Sequence, residues 1–171
     1  QSFCDDADTG HYVDQTGQST QTACDAGTFQ ASTGQSSCDD ADPGHYVDQT
    51  GQSTQTACDA GTFQASTGQT SCDDADPGHY VDLSLGTAQS SQTACLAGTY
   101  NPNSGSTTST DCISADSGHY VDQPGQSTQT ACLAGTYNTN TGSTTSTDCV
   151  GADAGHYVDS LLGTAQSSQT A

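Results

Sequence analysis

Five histidines, each followed three residues later by an aspartate, are the first side chains of this sequence that suggest a reaction. They lie in five copies of the segment GHYVD, at His11, His45, His79, His119 and His156. A histidine that contacts a carboxylate and a serine hydroxyl is the arrangement that activates a nucleophile. Catalysis needs one enclosed pocket, however, whereas these five copies are spread along the whole chain. We therefore predict that the protein is not an enzyme, and that these histidines and aspartates hydrogen-bond neighbouring backbone.

Clusters of aspartate suggest metal binding instead. The segment CDDAD begins at Cys4, Cys38 and Cys72, and places three carboxylates within four residues. Calcium prefers such oxygen ligands, but the glycine and the bidentate glutamate of the EF-hand pattern are missing. The later copies of the segment contain fewer carboxylates, since they are CISAD and CVGAD. We predict no cofactor and no metal site, with calcium at these acidic turns as the alternative.

Nine cysteines allow a third kind of chemistry, which is disulfide formation. They are spaced 14 to 23 residues apart, without the CxxC pairs that indicate a zinc site. Disulfides persist in oxidising compartments outside the cytoplasm, where they stabilise small units that lack a sufficient core. The cysteines therefore predict an extracellular or cell-surface protein.

The composition makes these disulfides necessary. Val, Leu, Ile and Phe account for only 16 of 171 residues, and the formal net charge is −20 without any Lys or Arg. A chain of this composition does not fold around a large apolar core. The lack of cations excludes nucleic acid as a partner, and no apolar run is long enough for membrane insertion.

A tandem repeat positions these residues. Its 17-residue half-repeat contains a glycine, an aromatic residue two positions later, and a second glycine after four or five more residues. Two kinds of half-repeat alternate: a stapled module with the motif CxAGT[FY], and a GHYVD module. Together they form full repeats of 34 to 40 residues. We assign a partial repeat to 1–23 and full repeats to 24–57, 58–94, 95–131 and 132–171.

The local sequence predicts hairpins. Short Thr, Tyr and Val segments separated by frequent glycine turns indicate strands of three to five residues, and no segment has helical periodicity. The predicted fold class is a small disulfide-rich all-β protein. Its short hairpin and turn modules would form a linear tandem array, or rod, in which each module touches mainly its neighbours.

The GHYVD modules lack both cysteine positions, which hold alanine and glutamine. Two positions that are lost together are most simply the two ends of one bond. Bonds within each stapled module are therefore predicted, namely Cys24–Cys38, Cys58–Cys72, Cys95–Cys112 and Cys132–Cys149. The competing scheme of Cys4–Cys24, Cys38–Cys58 and onward fits the spacing but leaves the joint loss unexplained. In the first scheme Cys4 pairs with a cysteine outside this chain.

Two segments, CDAGTFQASTGQTSC at 58–72 and CLAGTYNPNSGSTTSTDC at 95–112, resemble ephrin-receptor-like cysteine-rich repeats, which are related to tumour-necrosis-factor-receptor modules. Modules of that family begin with C-x-x-G-T-[FY] and end with T-G-x-x-x-C, and the resemblance implies that these two cysteines bond to each other. Similar modules form long arrays in secreted microbial proteins, archaeal ones included. The GHYVD module departs from the family, because alanine and glutamine replace its next cysteine pair.

Two STTSTD runs predict sites of modification. Asn-x-Ser/Thr sequons are absent, so O-linked sugar is the glycan that the motifs suggest. The alternative is that these runs are hydroxyl-rich turns that bind water. The candidate residues are Thr107, Thr108, Ser109, Thr110, Thr144, Thr145, Ser146 and Thr147.

Together these features predict a structural protein of an extracellular or cell-surface filament. Its first and last modules are interrupted, which suggests a segment of a longer array. Its partners would be copies of itself or further repeats of the same chain, and glycans. The alternative is the stalk or ligand-binding ectodomain of an adhesin or receptor-like surface protein, which a large exposed apolar patch would favour.

Overall fold

The computed structural model describes residues 5–159 and 163–171. In these residues, sixteen strands of two residues each form eight antiparallel hairpins, with three short 3₁₀ helices and no α-helix. None of the described helices is long and apolar enough to cross a membrane. The predicted fold class is confirmed: the protein is an all-β, disulfide-rich tandem array of small hairpins.

Every hairpin pairs one strand with the next strand along the chain. The pairs are β1 (His11–Tyr12) with β2 (Thr22–Ala23), β3 (Thr28–Phe29) with β4 (Asp39–Asp40), β5 (His45–Tyr46) with β6 (Thr56–Ala57), β7 (Thr62–Phe63) with β8 (Asp73–Asp74), β9 (His79–Tyr80) with β10 (Thr93–Ala94), β11 (Thr99–Tyr100) with β12 (Ile113–Ser114), β13 (His119–Tyr120) with β14 (Thr130–Ala131), and β15 (Thr136–Tyr137) with β16 (Val150–Gly151). The 3₁₀ helices are Leu83–Leu85, Ser109–Asp111 and Ser146–Asp148. In the last GHYVD module a single antiparallel bridge joins Tyr157 to Thr170.

The hairpins belong to two compact units. The first unit contains Gln1–Asp74 and Leu83–Ser91, and the second contains Ala75–Asp82 and Gln92–Ala171. The loop between β9 and β10 therefore belongs to the first unit, whereas these two strands belong to the second. The division into full repeats at 24, 58, 95 and 132 stays a prediction from the sequence.

Backbone hydrogen bonds, three at most junctions, join one module to the next within a unit. In the first unit, the N–H of Gly10 donates to the carbonyl of Gln30 at 2.8 Å, and the N–H of Val13 donates to Gln35 at 3.0 Å. In the opposite direction, the N–H of Gly34 donates to Ala7 at 2.8 Å. In the second unit the same three bonds join the earlier modules, as in Gly98 to Val121, Asn101 to Gln126 and Gly125 to Cys95. Two of them, Asn138 to Gln166 and Ala165 to Cys132, join the last stapled module to the last GHYVD module.

These bonds explain why the strands are shorter than the three to five residues that the sequence predicts. After the two paired residues of β5, the next N–H, that of Val47, donates to the carbonyl of Gln69 in the following module at 3.0 Å. The backbone therefore leaves its partner strand because its next donor is used between modules.

Two features favour glycine at the first turn of a module, and both are present at Gly27. Gly27 has a φ of 90°, which is the left-handed region that glycine adopts without steric cost. In addition, a Cβ on Gly27 would overlap the carbonyl oxygen of Gly68, two modules further along the chain. The close approach of these backbones therefore depends on the missing side chain.

The core is a row of small residues. The first position is buried in every module except the last, whether it is alanine, as at Ala41, or cysteine, as at Cys58, and Ala152 of the last module is half-buried. The residue after the aromatic one is also buried in most modules. It is valine in GHYVD modules, as at Val47, and an amide in stapled modules, as at Gln64 and Asn101.

Candidate functional site at the hairpin closures

Four disulfides close the stapled modules. They are Cys24–Cys38, Cys58–Cys72, Cys95–Cys112 and Cys132–Cys149. The Cα atoms of the bonded cysteines are 5.6 to 5.8 Å apart, a separation that suits a disulfide. These are the bonds of the within-module scheme. Cys4, whose partner was placed outside the chain, lies outside the described residues.

The disulfide contribution is large for modules with so little core. In the chain-entropy model, closing a loop of about 15 residues contributes about 3 kcal/mol to stability. Burial of one complete aromatic side chain contributes about 1.5–3 kcal/mol. Each disulfide is therefore comparable to the whole aromatic contribution of its module.

The GHYVD modules contain a different closure at the same place. The glutamine that replaces the second cysteine bonds twice to the aspartate that follows the alanine. In one module, the N–H of Asp42 donates to Gln55 Oε1 at 2.6 Å, and Gln55 Nε2 donates to Asp42 Oδ2 at 2.6 Å. We call this pair of hydrogen bonds the Asp–Gln clasp. A carboxylate acceptor strengthens such a bond relative to a neutral one.

All five GHYVD modules contain the clasp. The pairs are Asp8–Gln21, Asp42–Gln55, Asp76–Gln92, Asp116–Gln129 and Asp153–Gln169. Their separations along the chain are 13 or 16 residues, one fewer than the 14 or 17 of the disulfides. Disulfides and clasps therefore alternate along the array, and both close the hairpin at equivalent positions.

Sequence reasoning missed the clasp because it treated alanine and glutamine only as lost cysteines. A signal was present, since every GHYVD module has aspartate directly after the alanine and glutamine 13 or 16 residues later. A glutamine kept at one position with a partner at fixed spacing indicates a bonded amide.

Buried amides organise the loops of the stapled modules. In the shorter loop, Gln30 Nε2 donates to the carbonyl of Ser37 at 3.0 Å, and Gln30 Oε1 accepts from the N–H of Ser32 at 2.9 Å. In the longer loop, Asn101 Nδ2 donates to Ser106 Oγ at 2.8 Å. The longer amide side chain, glutamine, therefore occurs where the bonded cysteines are 14 residues apart in the sequence, and the shorter one, asparagine, where they are 17 residues apart.

Four of the five GHYVD histidines bond to backbone through the ring, as the sequence predicts. Nδ1 of His11, His45, His79 and His119 lies 3.2 to 3.4 Å from the carbonyl oxygen two residues earlier. The aspartate prediction is not matched at the first copy, where Asp14 accepts from the side chain of Gln18 at 3.1 Å rather than from backbone. The imidazole is thus oriented by its own turn.

The acidic turns give no metal site in the described residues. No group of three or more His, Cys, Asp or Glu side chains that could hold an ion occurs at 5–159 or 163–171. The Asp40 side chain lies instead beside the second turn of the next stapled module, where a Cβ on Gly68 would be 3.5 Å from its Cγ.

The two STTSTD runs form capped 3₁₀ turns. Oδ2 of Asp148 accepts from the N–H groups of Thr144 and Thr145, both at 3.1 Å, and the hydroxyls of Thr145 and Thr147 lie 2.6 Å apart. Asp111 repeats this arrangement in the earlier run. Of the eight predicted modification sites, six are exposed and two are half-buried. The exposed ones are Ser109, Thr110, Thr144, Thr145, Ser146 and Thr147, and the half-buried ones are Thr107 and Thr108.

No family model and no curated protein sequence matches this chain. The closures are the feature on which a functional argument can be built. The disulfides and the Asp–Gln clasps close hairpins that have little core. The chain also contains no Lys or Arg.

Proposed function

We propose that this chain is a structural component of an extracellular or cell-surface filament, built from closed hairpin repeats that carry O-linked sugar. The observation that carries this proposal is the alternation of four disulfides with five Asp–Gln clasps. A protein that closes every small unit separately gains resistance to unfolding at each point along its length. Such resistance suits a structural role better than a catalytic one.

The disulfides support a location outside the cytoplasm, because oxidising conditions are needed to keep them formed. The lack of Lys and Arg supports the same location, since proteases that cleave at basic residues find no site in this chain. The resemblance to ephrin-receptor-like repeats, which form arrays in secreted proteins, agrees with both arguments.

The bonds between modules support self-association or long arrays. They use backbone groups, such as the N–H of Gly44 and the carbonyl of Gln64 at 2.7 Å, so any further repeat can form them. Stability in such arrays is a sum of unit terms and neighbour terms, which favours additional units. The partners we propose are therefore further repeats of the same chain, or other copies of it.

A stalk or ligand-binding ectodomain of a surface adhesin is the second candidate. It is favoured by seven large apolar side chains that are exposed in the described residues and available for a contact with another molecule. They are Leu83, Leu85, Leu96, Ile113, Leu133, Val150 and Tyr157.

Electron microscopy of material sheared from the native cells, followed by labelling with an antibody against the GHYVD segment, tests the proposal. We expect labelled fibres with label along their whole length. Label confined to single molecules at the cell envelope, with unlabelled fibres or none, would reject the filament in favour of the adhesin stalk.

A further inference from the structure

We propose that Ser146, and by the repeat Ser109, carries an O-linked sugar whose first ring covers an apolar groove beside Leu133 or Leu96. This inference rests on the proposed function, because it requires a secreted chain that meets a glycosylation system. It assigns the modification to one hydroxyl of each STTSTD run, and it assigns to the neighbouring aliphatic residues a contact with the first sugar ring.

The two pairs of stapled modules differ in the residue that follows each cysteine. In the modules without an STTSTD run, aspartate follows each cysteine, and in the modules with the run, an aliphatic residue follows each cysteine. The aspartates are Asp25, Asp39, Asp59 and Asp73, and their aliphatic counterparts are Leu96, Ile113, Leu133 and Val150. Added hydroxyls and added aliphatic residues therefore occur together, twice, in one chain.

These four aliphatic side chains are exposed to solvent. Leu96 and Leu133 are each 75% exposed, and Ile113 and Val150 are 45% and 47% exposed. Apolar area left in water forgoes about 25 cal/mol per Å². A chain with few aliphatic residues places four of them at its surface, in the modules where hydroxyl acceptors were added.

A groove beside Leu133 provides space for a sugar ring. It has a volume of about 170 Å³, and Ser146 lines it together with apolar side chains. The lining residues are Tyr120, Thr130, Ala131, Leu133, Thr136, Ser146 and Cys149. A sugar ring has one face of C–H groups, which suits Tyr120 and Leu133, and hydroxyls that suit Thr130 and Thr136.

The attachment is an ordinary glycosyl transfer. A transferase supplies a sugar linked through its anomeric carbon to a nucleotide diphosphate or a lipid phosphate. The Oγ of Ser146 forms a bond to that carbon as the bond from the carbon to the phosphate oxygen breaks. The hydroxyl proton goes to a base of the transferase, and the phosphate leaves with the bonding electrons.

A second copy of the chain fits this surface less well than a sugar does. A stable interface covers about 800 Å² on each partner, and four partly exposed aliphatic side chains supply much less.

The first test is site mapping on the chain purified from its native source. After reduction and cleavage at Asp, electron-transfer fragmentation of the peptides that contain 109 and 146 should locate sugar on both serines. Bare serines at both positions would overturn the proposal.

The second test asks whether the sugar covers the groove. Binding of the neutral dye Nile red is measured on the native chain, on the bare chain made in a bacterial periplasm, and on a bare L96D/L133D variant. We expect the bare chain to bind about tenfold more tightly than the other two, the factor that corresponds to about 1.4 kcal/mol. Asp25 and Asp59 show that the fold accepts aspartate at these positions. Equal dye binding by the native and bare chains would overturn the covering role.

The two proposals fail separately. Fibres labelled along their length with bare serines would leave the filament standing and reject the sugar. Sugar on both serines in a chain that forms no fibres would do the reverse.

Discussion

At the scale of residues, each module has a residue with positive φ in its second turn, the turn inside the hairpin loop, and this position tolerates a side chain as small as a methyl group. It is glycine in seven modules but alanine at Ala88 and Ala165, each with a φ of 64°. A Cβ on Gly51 would lie 3.8 Å from the Ala23 Cβ, so there is room for a methyl group at this turn. The alanines are accepted for steric reasons although their backbone conformation is unfavourable.

Replacing Ala88 by glycine should therefore stabilise the protein. The left-handed conformation costs alanine about 1–2 kcal/mol, and the greater freedom of unfolded glycine returns about 0.5–1 kcal/mol of that. We expect a net gain of about 0.5–1 kcal/mol, measured as a higher denaturant midpoint. The matched control is Gly10→Ala, which should destabilise strongly because its Cβ overlaps the Gly51 carbonyl. A lower midpoint for Ala88→Gly would show that the alanine methyl packs more favourably than its backbone strain costs.

Removing one clasp should open one hairpin locally. Gln55→Ala eliminates both hydrogen bonds to Asp42, and because a net hydrogen bond contributes about 0.5–1.5 kcal/mol and this pair is exposed, we expect a loss of about 1 kcal/mol. Hydrogen exchange at the Asp42 amide should accelerate. Gln49→Ala, an exposed residue of the same loop, serves as the control and should leave that amide unchanged. Unaltered exchange in Gln55→Ala would mean that the clasp does not protect the turn.

At the scale of elements, the two closures should be interchangeable. Ala41→Cys with Gln55→Cys should form a disulfide, because the equivalent cysteines of the stapled modules have Cα atoms 5.6 to 5.8 Å apart. The new bond contributes about 3 kcal/mol and the lost clasp costs about 1 kcal/mol, so the midpoint should rise. Non-reducing peptide mapping detects the bond, and Ala41→Cys alone is the control. Two free thiols in the folded double variant would show that the closures differ in geometry.

The hairpin array and its four disulfides could be predicted from the sequence, because both depend on a spacing of glycines and cysteines that recurs along the chain. The strand length could not be predicted from it, because Val47 and its equivalents use donors that only the neighbouring module accepts. The clasp was missed for a related reason. A glutamine has many possible partners, and only the hairpin brings Gln55 next to Asp42. The disulfide pairing followed from the joint loss of both cysteines, whereas the fixed spacing of the aspartate and the glutamine gained a meaning only once the hairpin placed the two side chains together.

At the scale of the whole molecule, the modules should lose order together when the disulfides are reduced. GHYVD modules share backbone bonds with stapled ones, as between the N–H of Gly51 and the carbonyl of Cys24 at 2.8 Å. Stability in such arrays depends on these neighbour interfaces. Under reductant, the Gly51 amide should therefore exchange as fast as amides of the stapled modules, as measured by hydrogen exchange.

Chelation provides the comparison for that experiment. EDTA should leave circular dichroism and exchange unchanged, since no described cluster of side chains is suited to hold an ion. Loss of order with EDTA but not with reductant would place the stability in a bound cation rather than in the closures.

The backbone character of the bonds between modules has a consequence for how such genes can change. Unequal recombination between repeats adds or removes a stapled module together with its GHYVD neighbour. Every new junction then offers the same donors and acceptors, because none of the three bonds uses a side chain. Modules of different loop length already follow each other in this chain. Disulfide separations are 14 or 17 residues and clasp separations are 13 or 16, and a short loop of one module type is followed by a long loop of the other. Arrays of different length can therefore arise within a population without passing through a form that fails to fold.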